Sequence, residues 1–357
     1  MKRLILAINP GSTSTKFGLF EEDKLLFDVT LRHTSDDISE FSKITDQYSF
    51  RKELIERELR VRSVQRDGIK AVVGRGGLIK PIESGIYEVN EQMRRDLEAG
   101  LMGEHASNLG GLIADNLASS MPSARAFIVD PVVVDELEPV ARIAGHPEFR
   151  RVSIFHALNQ KAIARTYAGA AGKQYEKLNL IVAHMGGGIS VGAHRRGRVV
   201  DVNNALNGDG PFSPERSGGL PAGQIVDLCF SGRFSKDELK AMITGKGGMV
   251  AYLGTNDFRD ICRRAGEGEE MPLLILDAAA YQVSKEIGAL ATVLHGNVDA
   301  IILTGGMAYQ EVFVNKIMEM TSFLAPVKVY PGEDELKALA FNGLLALDGL
   351  IQIKEYK

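Results

Sequence analysis

What most limits the fold open to this chain is a repeat about half its length apart. Leu4 to Phe20 reads LILAINPGSTSTKFGLF: an apolar run, a Gly/Ser/Thr turn and a second apolar run. Leu180 to His194 reads LIVAHMGGGISVGAH in the same order. Aligning Ala7 with Ala183 sets Gly11 on Gly187 and Ser14 on Ser190; 183 minus 7 is 176, close to half of 357 residues. An internal copy at that distance implies two domains on one supersecondary plan. Each copy predicts strand, tight turn, strand, and such a turn points successive backbone N–H groups into one concavity that suits an anion. Two such turns acting together would hold a polyphosphate.

Composition narrows the class. Apolar residues make up 45% and charged residues 25% of the chain, near globular averages, so a packed fold is expected rather than disorder. At this length two domains are the natural outcome, and the repeat predicts bounds of 1–150 plus a returning 334–357 for the first and 151–333 for the second. With 42 basic and 46 acidic side chains the net charge is −4, which offers no basic footprint for nucleic acid or a membrane surface. The opening apolar run stops at Asn9, too short for a signal peptide or a membrane span, so a cytoplasmic location is expected. Cys229 and Cys262 give neither a disulfide framework nor zinc-finger spacing and read as free structural thiols.

Periodicity predicts strands over 3–9, 15–20, 24–30, 69–73 and 126–129, then 179–184, 189–194 and 198–202, with a further strand running into glycine at 300–306. Helices are expected over 49–66, 105–119, from His156 through Tyr167, and over 273–294 and 335–350. Hairpins mixed with crossover helices argue for α/β layers.

The usual nucleotide fingerprints are absent: no GxxxxGK[ST] exists, and no GxGxxG follows a strand. The segments NPGSTSTK, AVVGRGG, VDPVVVDE, RRVSIFHALNQ, AHMGGGIS, SPERSGG, TNDFRD and LTGGM, in that order over nearly the whole chain, resemble the acetate and butyrate kinase family. The GRGG, VDPVVVDE and SPERSGG versions are similar to those of its butyrate and branched-chain members. The resemblance implies two duplicated α/β domains of the actin and ribonuclease-H kind with a nucleotide cleft between them. It also implies reversible transfer of the ATP γ-phosphoryl group to a short-chain carboxylate such as butyrate or isobutyrate, giving an acyl phosphate and ADP. Mg²⁺ and a homo-oligomer of at least two chains come with it.

The residues can be weighed against that chemistry. A carboxylate acceptor is already ionised at neutral pH and needs no general base; the obstacle is repulsion between anions. Catalysis then rests on positioning and on neutralising charge. Arg75 in GRGG and Arg216 in ERSGG each sit beside glycine, and each carries a planar fork that fits carboxylate or phosphoryl oxygens. By resemblance Arg75 orients the acid and Arg216 contacts the transferring phosphoryl group. His156 follows an apolar strand-like VSIF and opens a helix, where its imidazole could bond an equatorial phosphoryl oxygen; His184 ends the strand entering the glycine turn and matches a nucleotide-phosphate position. His33, His146, His194 and His295 have no such setting, and His105 resembles a segment near the acyl site.

Asp130 closes AFIVD before Pro131, at the carboxyl end of a strand where α/β sheets place ligands. In the family it helps hold magnesium. A hard cation prefers oxygen, so Asn9 and an acid from Glu333, Asp334 or Glu335 are its expected partners, with the family's acidic pair matching Asp334 and Glu335. The first turn offers Ser12, Ser14 and Lys16 to phosphate, and the second offers Gly186, Gly187 and Gly188. Asp257 and Arg259 resemble adenosine contacts, while Gly305 and Gly306 would let backbone approach the adenosine diphosphate. Gly76 and Gly77 directly follow Arg75, which predicts open volume beside the carboxylate for an acyl chain longer than acetate.

Two other classes compete. An alcohol or water phosphotransferase on the same scaffold, such as a sugar kinase, would need a base and would not need two glycine-flanked arginines. An assembly or chaperone module of the actin or Hsp70 kind would need filament surfaces or a peptide-binding domain, and the two halves consume the chain.

Overall fold

The computed structural model describes residues 3–41 and 43–357. The opening repeat folds as an antiparallel meander of β1 (Leu4–Pro10), β2 (Ser14–Glu21) and β3 (Lys24–Arg32). Then come α1 (Ser35–Ser39), α2 (Tyr48–Val61), β4 (Ile69–Arg75), β5 (Ile86–Glu88), α3 (Glu91–Ala99), α4 (Asn108–Ser119) and β6 (Arg125–Val129). β4 runs parallel to β1 and β6 parallel to β4, so all three carboxyl ends lie on one edge of the sheet.

The second repeat follows α5 (Ala157–Ala170) as β7 (Asn179–Met185), β8 (Ile189–Arg195) and β9 (Arg198–Val202), again an antiparallel meander. The helices α6 (Ala222–Phe230), α7 (Lys236–Ile243), α8 (Met249–Leu253), α9 (Phe258–Gly266) and α10 (Glu270–Val293) lead to β10 (Ala300–Gly305), α11 (Glu311–Thr321) and β11 (Val327–Pro331). β10 is parallel to β7, and β11 to β10. The chain ends with α12 (Glu335–Leu347) and β12 (Ile353–Lys354). Strand order is β12-β5-β6-β4-β1-β2-β3 in one sheet and β11-β10-β7-β8-β9 in the other.

Side chains alternate across each sheet, and both faces are covered. In β1, Leu6 and Ile8 pack into a core with Leu109, Leu112 and Ile113 of α4, while Ile5 faces Gly343 of α12. In β7, Ile181 and Ala183 pack with Leu276 and Ala280 of α10, whereas Leu180 and Val182 pack with Ala164 and Ala168 of α5. Period-two apolar runs buried on both faces are what such a three-layer arrangement requires.

Two compact units result: the described residues up to Val134 with Asp334–Lys357, and Asp135–Glu333. The crossover therefore falls at 134/135 and not near 150. Long-range polar pairing moves it. Glu136 is buried with Lys161 (2.8 Å) and accepts from the Val199 amide (2.7 Å), the Glu138 amide donates to Val200 O (2.9 Å), and Arg151 pairs with Asp201 (2.8 Å). Residues 135–150 are thus tied to the second sheet. Among the described residues no helix is long and apolar enough to cross a membrane.

The repeat is real, but its register needs correction. The last pairs before the turns are Pro10 with Thr15 and Met185 with Ile189, so the first turn spans Gly11–Ser14 and the second only Gly186–Gly188. One pair further in, Asn9 faces Lys16 and His184 faces Ser190. Ser190 therefore takes the place of Lys16, not of Ser14.

Candidate active site

The first unit gathers Asn9, Arg75 and Glu335 where β1 and β4 end and α12 begins. Asn9 Nδ2 donates to Glu335 Oε2, and Arg75 Nη1 donates to both Asn9 Oδ1 (3.3 Å) and Glu335 Oε2 (3.3 Å). Glu335 is only 7% exposed, so its charge is answered by that guanidinium. Both Arg75 bonds use Nη1, which leaves the fork of Nη2 and Nε as the edge able to meet a carboxylate. Lys16, paired across the hairpin from Asn9, shares its face.

Asp130 stands one residue beyond Val129, the partner of Arg75 in the β4–β6 ladder. Its Oδ1 accepts from Ser84 Oγ (2.6 Å) and the Gly85 amide (2.8 Å), and its φ is +36°. A non-glycine residue there costs about 1–3 kcal/mol, which its neighbours must supply. Of the three consecutive acids, Glu335 is the one that bonds Asn9 and Arg75 within the first unit. Asp334 caps α12 by accepting from the Lys337 amide (3.3 Å), and Glu333 pairs with His184 in the second unit (3.1 Å). Asp130, Glu335 and Asn9 each carry side-chain oxygen, the donor type a hard divalent cation prefers. Among the described residues no three acids or histidines gather into a metal cage.

Sequence reasoning passed over the residue that shapes the first turn. Arg51 of α2 is 0% exposed and donates through Nη1 to Gly11 O (2.7 Å), Ser14 O (3.0 Å) and Thr15 Oγ1 (3.1 Å), and through Nη2 to Ser12 O (3.0 Å). Gln47 Oε1 takes the remaining edge, from Nε (3.0 Å) and Nη2 (2.7 Å). The His33 amide binds Thr13 O (2.9 Å), so all four carbonyls of the turn are engaged by protein donors. Among the described residues the Ser12 and Thr13 amides donate to no protein group, which suits an anion-binding turn. Burial pushes the Arg51 guanidinium down to about 10, still charged at neutral pH. A signal was present: Arg51, Ile55 and Leu59 recur every four residues on the buried face of α2.

The glycines after Arg75 do not open a pocket. A Cβ on Gly76 would lie 2.5 Å from Pro131 Cβ, and one on Gly77 would lie 2.4 Å from Asn108 Oδ1 and 2.5 Å from Asn108 Cα. Gly74 and Gly110 are fixed by the same crossing: a Cβ on either would meet backbone oxygen at 2.1 Å or 2.2 Å. The GRGG run lets β4 pass against the amino end of α4. His105 closes the turn before that helix through Ser107 Oγ (2.8 Å).

In the second unit the Gly186–Gly188 turn closes through the Gly186 amide on Gly188 O (3.0 Å), and Ser213 Oγ donates to Gly187 O (2.6 Å). Arg216 lies across it. Its Nη1 donates to Ala205 O (2.6 Å) and occupies the spot, 2.0 Å away, where a Gly188 side chain would begin. Glu215 packs over Gly187 and accepts from Asn256 Nδ2 (3.3 Å), which ties the TNDFRD segment to the turn. Asp257 itself caps α9 by accepting from the Arg259 and Asp260 amides, and Arg259 is 82% exposed. Gly305 has φ +91°, and a Cβ there would strike Met185 O at 2.3 Å; Gly306 has open space beside it.

His156 and His184 stack with ring centroids 3.9 Å apart and 18° between planes. His184 Nδ1 meets Asn159 Oδ1 (2.8 Å), and His156 Nδ1 meets Ser190 Oγ (2.9 Å). The two rings expected at phosphate are therefore adjacent, beside the shorter turn.

With this geometry in hand, similarity to known proteins is decisive. The pattern of the Acetokinase family matches residues 146–329, just over half of the chain. The chain belongs to the acetokinase family. Its similarity to family members extends over its whole length: it is 55% identical over 353 residues to butyrate kinase 1 of Clostridium acetobutylicum, covering 99% of each chain. It is 54% identical to butyrate kinase 2 of the same organism over 357 residues, covering 100% of each. The acetokinase fold is also evident in three dimensions: the acetate kinase crystal structure from Porphyromonas gingivalis superposes with a TM-score of 0.78 at 20% identity, covering 97% of this chain and 100% of that one.

Proposed function

We propose that this chain transfers the γ-phosphoryl group of ATP directly and reversibly to a short-chain carboxylate, butyrate foremost, forming an acyl phosphate and ADP. The observation that carries the reading is end-to-end similarity, above half identity, to two proteins named butyrate kinase. The chemistry of the site agrees. Arg75 grips the acid through its outer fork, while Arg216, His156 and the two turns hold the phosphoryl group and the phosphate chain. No general base is required of any of them, because the nucleophile arrives ionised. Asn9, Ser12, Ser14, Lys16, His184 and Gly186–Gly188 serve the phosphates; Asp257, Arg259, Gly305 and Gly306 serve the nucleoside side.

Asp130, with Asn9 and Glu335, would hold Mg²⁺, which when bound offsets the charge of the phosphate oxygens. Asp334 is left with helix capping. The exposed apolar surface of α6, where Phe230 is 87% exposed, supports a homo-oligomer, and ATP as donor supports a cytoplasmic location.

The test is hydroxylamine trapping with ATP and acids from acetate to valerate and isobutyrate. The reading predicts a hydroxamate with butyrate that exceeds the acetate product. Preference for acetate or propionate would reassign the substrate, and ADP release with no hydroxamate from any acid would remove carboxylate chemistry altogether.

A further inference from the structure

Behind His156 runs a buried hydrogen-bonded chain whose direction follows one bond at a time. Gln160 of α5 is wholly buried, and its Nε2 lies 3.0 Å from Ser190 O. A backbone carbonyl only accepts, so the amide nitrogen must face β8, and that settles which end of the Gln160 amide is which. The same Nε2 donates its other hydrogen to Ser190 Oγ (2.8 Å).

The Gln160 oxygen then faces His194 Nε2 (2.9 Å), which must carry a hydrogen. His194 is wholly buried, and burial with Lys161 and Arg165 nearby holds its ring far below the ordinary histidine range, so it is neutral. Its Nδ1 is therefore bare and accepts from the Tyr175 hydroxyl (2.7 Å). This half of the chain has one consistent proton arrangement.

The other half follows. Around Ser190 Oγ stand Gln160 Nε2, the His156 amide nitrogen (3.5 Å) and His156 Nδ1 (2.9 Å). The first two can only donate. Only the imidazole nitrogen can accept the hydroxyl hydrogen, so Nδ1 of His156 is bare and its ring hydrogen sits on Nε2. Stacking on His184 keeps the ring in that plane. Gly192 completes the device, because a Cβ there would fall 2.5 Å from Gln160 Oε1.

We infer that Ser190 and Gln160 are positioning residues that lock His156 into the tautomer with hydrogen on Nε2, presenting a donor, never a lone pair, to the transferring group. The role in transfer rests on the carboxylate-kinase reading; the tautomer does not. A donor is what a phosphoryl oxygen gathering negative charge requires, and a reaction without a general base has no use for a bare Nε2.

Long-range proton–nitrogen correlation spectra of the ¹⁵N-histidine-labelled protein test this, with His156 assigned by its loss in His156→Gln. The wild type should show a bare Nδ1 and a protonated Nε2. Ser190→Ala should move both nitrogens toward averaged values and lower kcat roughly 10- to 100-fold, the scale on which partners that fix an imidazole's tautomer act, with the KM for ATP little changed. Gln160→Met should shift both readouts the same way, and Ser190→Thr, which keeps the hydroxyl, should restore both.

A wild-type spectrum with a bare Nε2 overturns the inference, and so does a Ser190→Ala protein in which either readout stays at the wild-type value. If that variant does not fold, the wild-type spectrum decides alone. It does so whether or not any acid is phosphorylated, so failure of the functional reading is a separate result.

Discussion

The Gly11–Ser14 and Gly186–Gly188 turns close corresponding hairpins in the two units but are held by opposite strategies. In the first, one buried guanidinium reaches up from α2 and engages three of the turn's carbonyls. In the second, Ser213 and Arg216 come from a later segment and lie over the turn, at a distance only glycine permits. The first turn is anchored through its carbonyls, which leaves the Ser12 and Thr13 amides to the opposite side. The second has the Arg216 guanidinium against Gly188, bonded to the Ala205 carbonyl, in the place that the proposed function gives to a group meeting the phosphoryl oxygens. Two hairpins of one plan thus differ in that the first is supported from beneath by α2 and the second is covered by a later segment.

The sharpest way to break this comparison is at the arginines. Arg75→Ala and Arg216→Ala should each lose about 10² to 10³ in turnover, roughly 2.7 to 4 kcal/mol, with the fold retained. A folded variant with near-normal kcat would remove that residue from the chemistry. Arg51→Ala should act differently: stability falls by about 1–3 kcal/mol for each carbonyl left without a donor, and the KM for ATP rises. Added guanidinium ion should bring the KM for ATP of Arg51→Ala part of the way back and leave that of a protein with an intact turn unchanged. Absence of rescue would mean that Arg51 serves packing and not turn order.

Smaller effects separate neighbours that sequence could not rank. Gly77→Val should cost about 1–3 kcal/mol through overpacking against Asn108 and leave the butyrate-to-acetate ratio of kcat/KM unchanged; a shifted ratio in a folded variant would return this position to the acyl pocket. Asp334→Ala should lose only about 1 kcal/mol of capping in a melting curve, whereas Glu335→Gln should raise the magnesium needed for half-maximal rate. Equal magnesium midpoints in the two variants would contradict the division between them.

How much of this was legible follows from what each residue senses. The meanders β1–β3 and β7–β9 were readable because alternation and a glycine turn are local signals, Arg75 stood out by its flanking glycines, and Asp130 by closing a strand before proline. The short β5 and the polar α3, capped by Asn90, carry too little apolar periodicity to be seen beforehand. The unit boundary was misplaced because Glu136 and Glu138 are claimed by Lys161 and the Val200 carbonyl, partners that no local pattern reveals. Gly76 and Gly77 misled for a related reason. A missing side chain reads as open space, and here that space is filled by Pro131 and Asn108. Adjacent acids at 333–335 point to different places because capping by Asp334 sets where α12 begins, and only then does Glu335 turn inward. Ser190 and Gln160 escaped notice since their role exists only through one another.

The claim at the centre of this account is that Arg75 holds the acid while Arg216 and the glycine turn hold the phosphates. Titrating ADP and butyrate separately into Arg75→Ala and Arg216→Ala, followed by calorimetry for the nucleotide and by ligand-line broadening for the acid, tests it directly. Arg75→Ala should bind ADP as the wild type does and lose butyrate binding, with Arg216→Ala keeping the acid. Wild-type butyrate binding by Arg75→Ala together with lost ADP binding would contradict it.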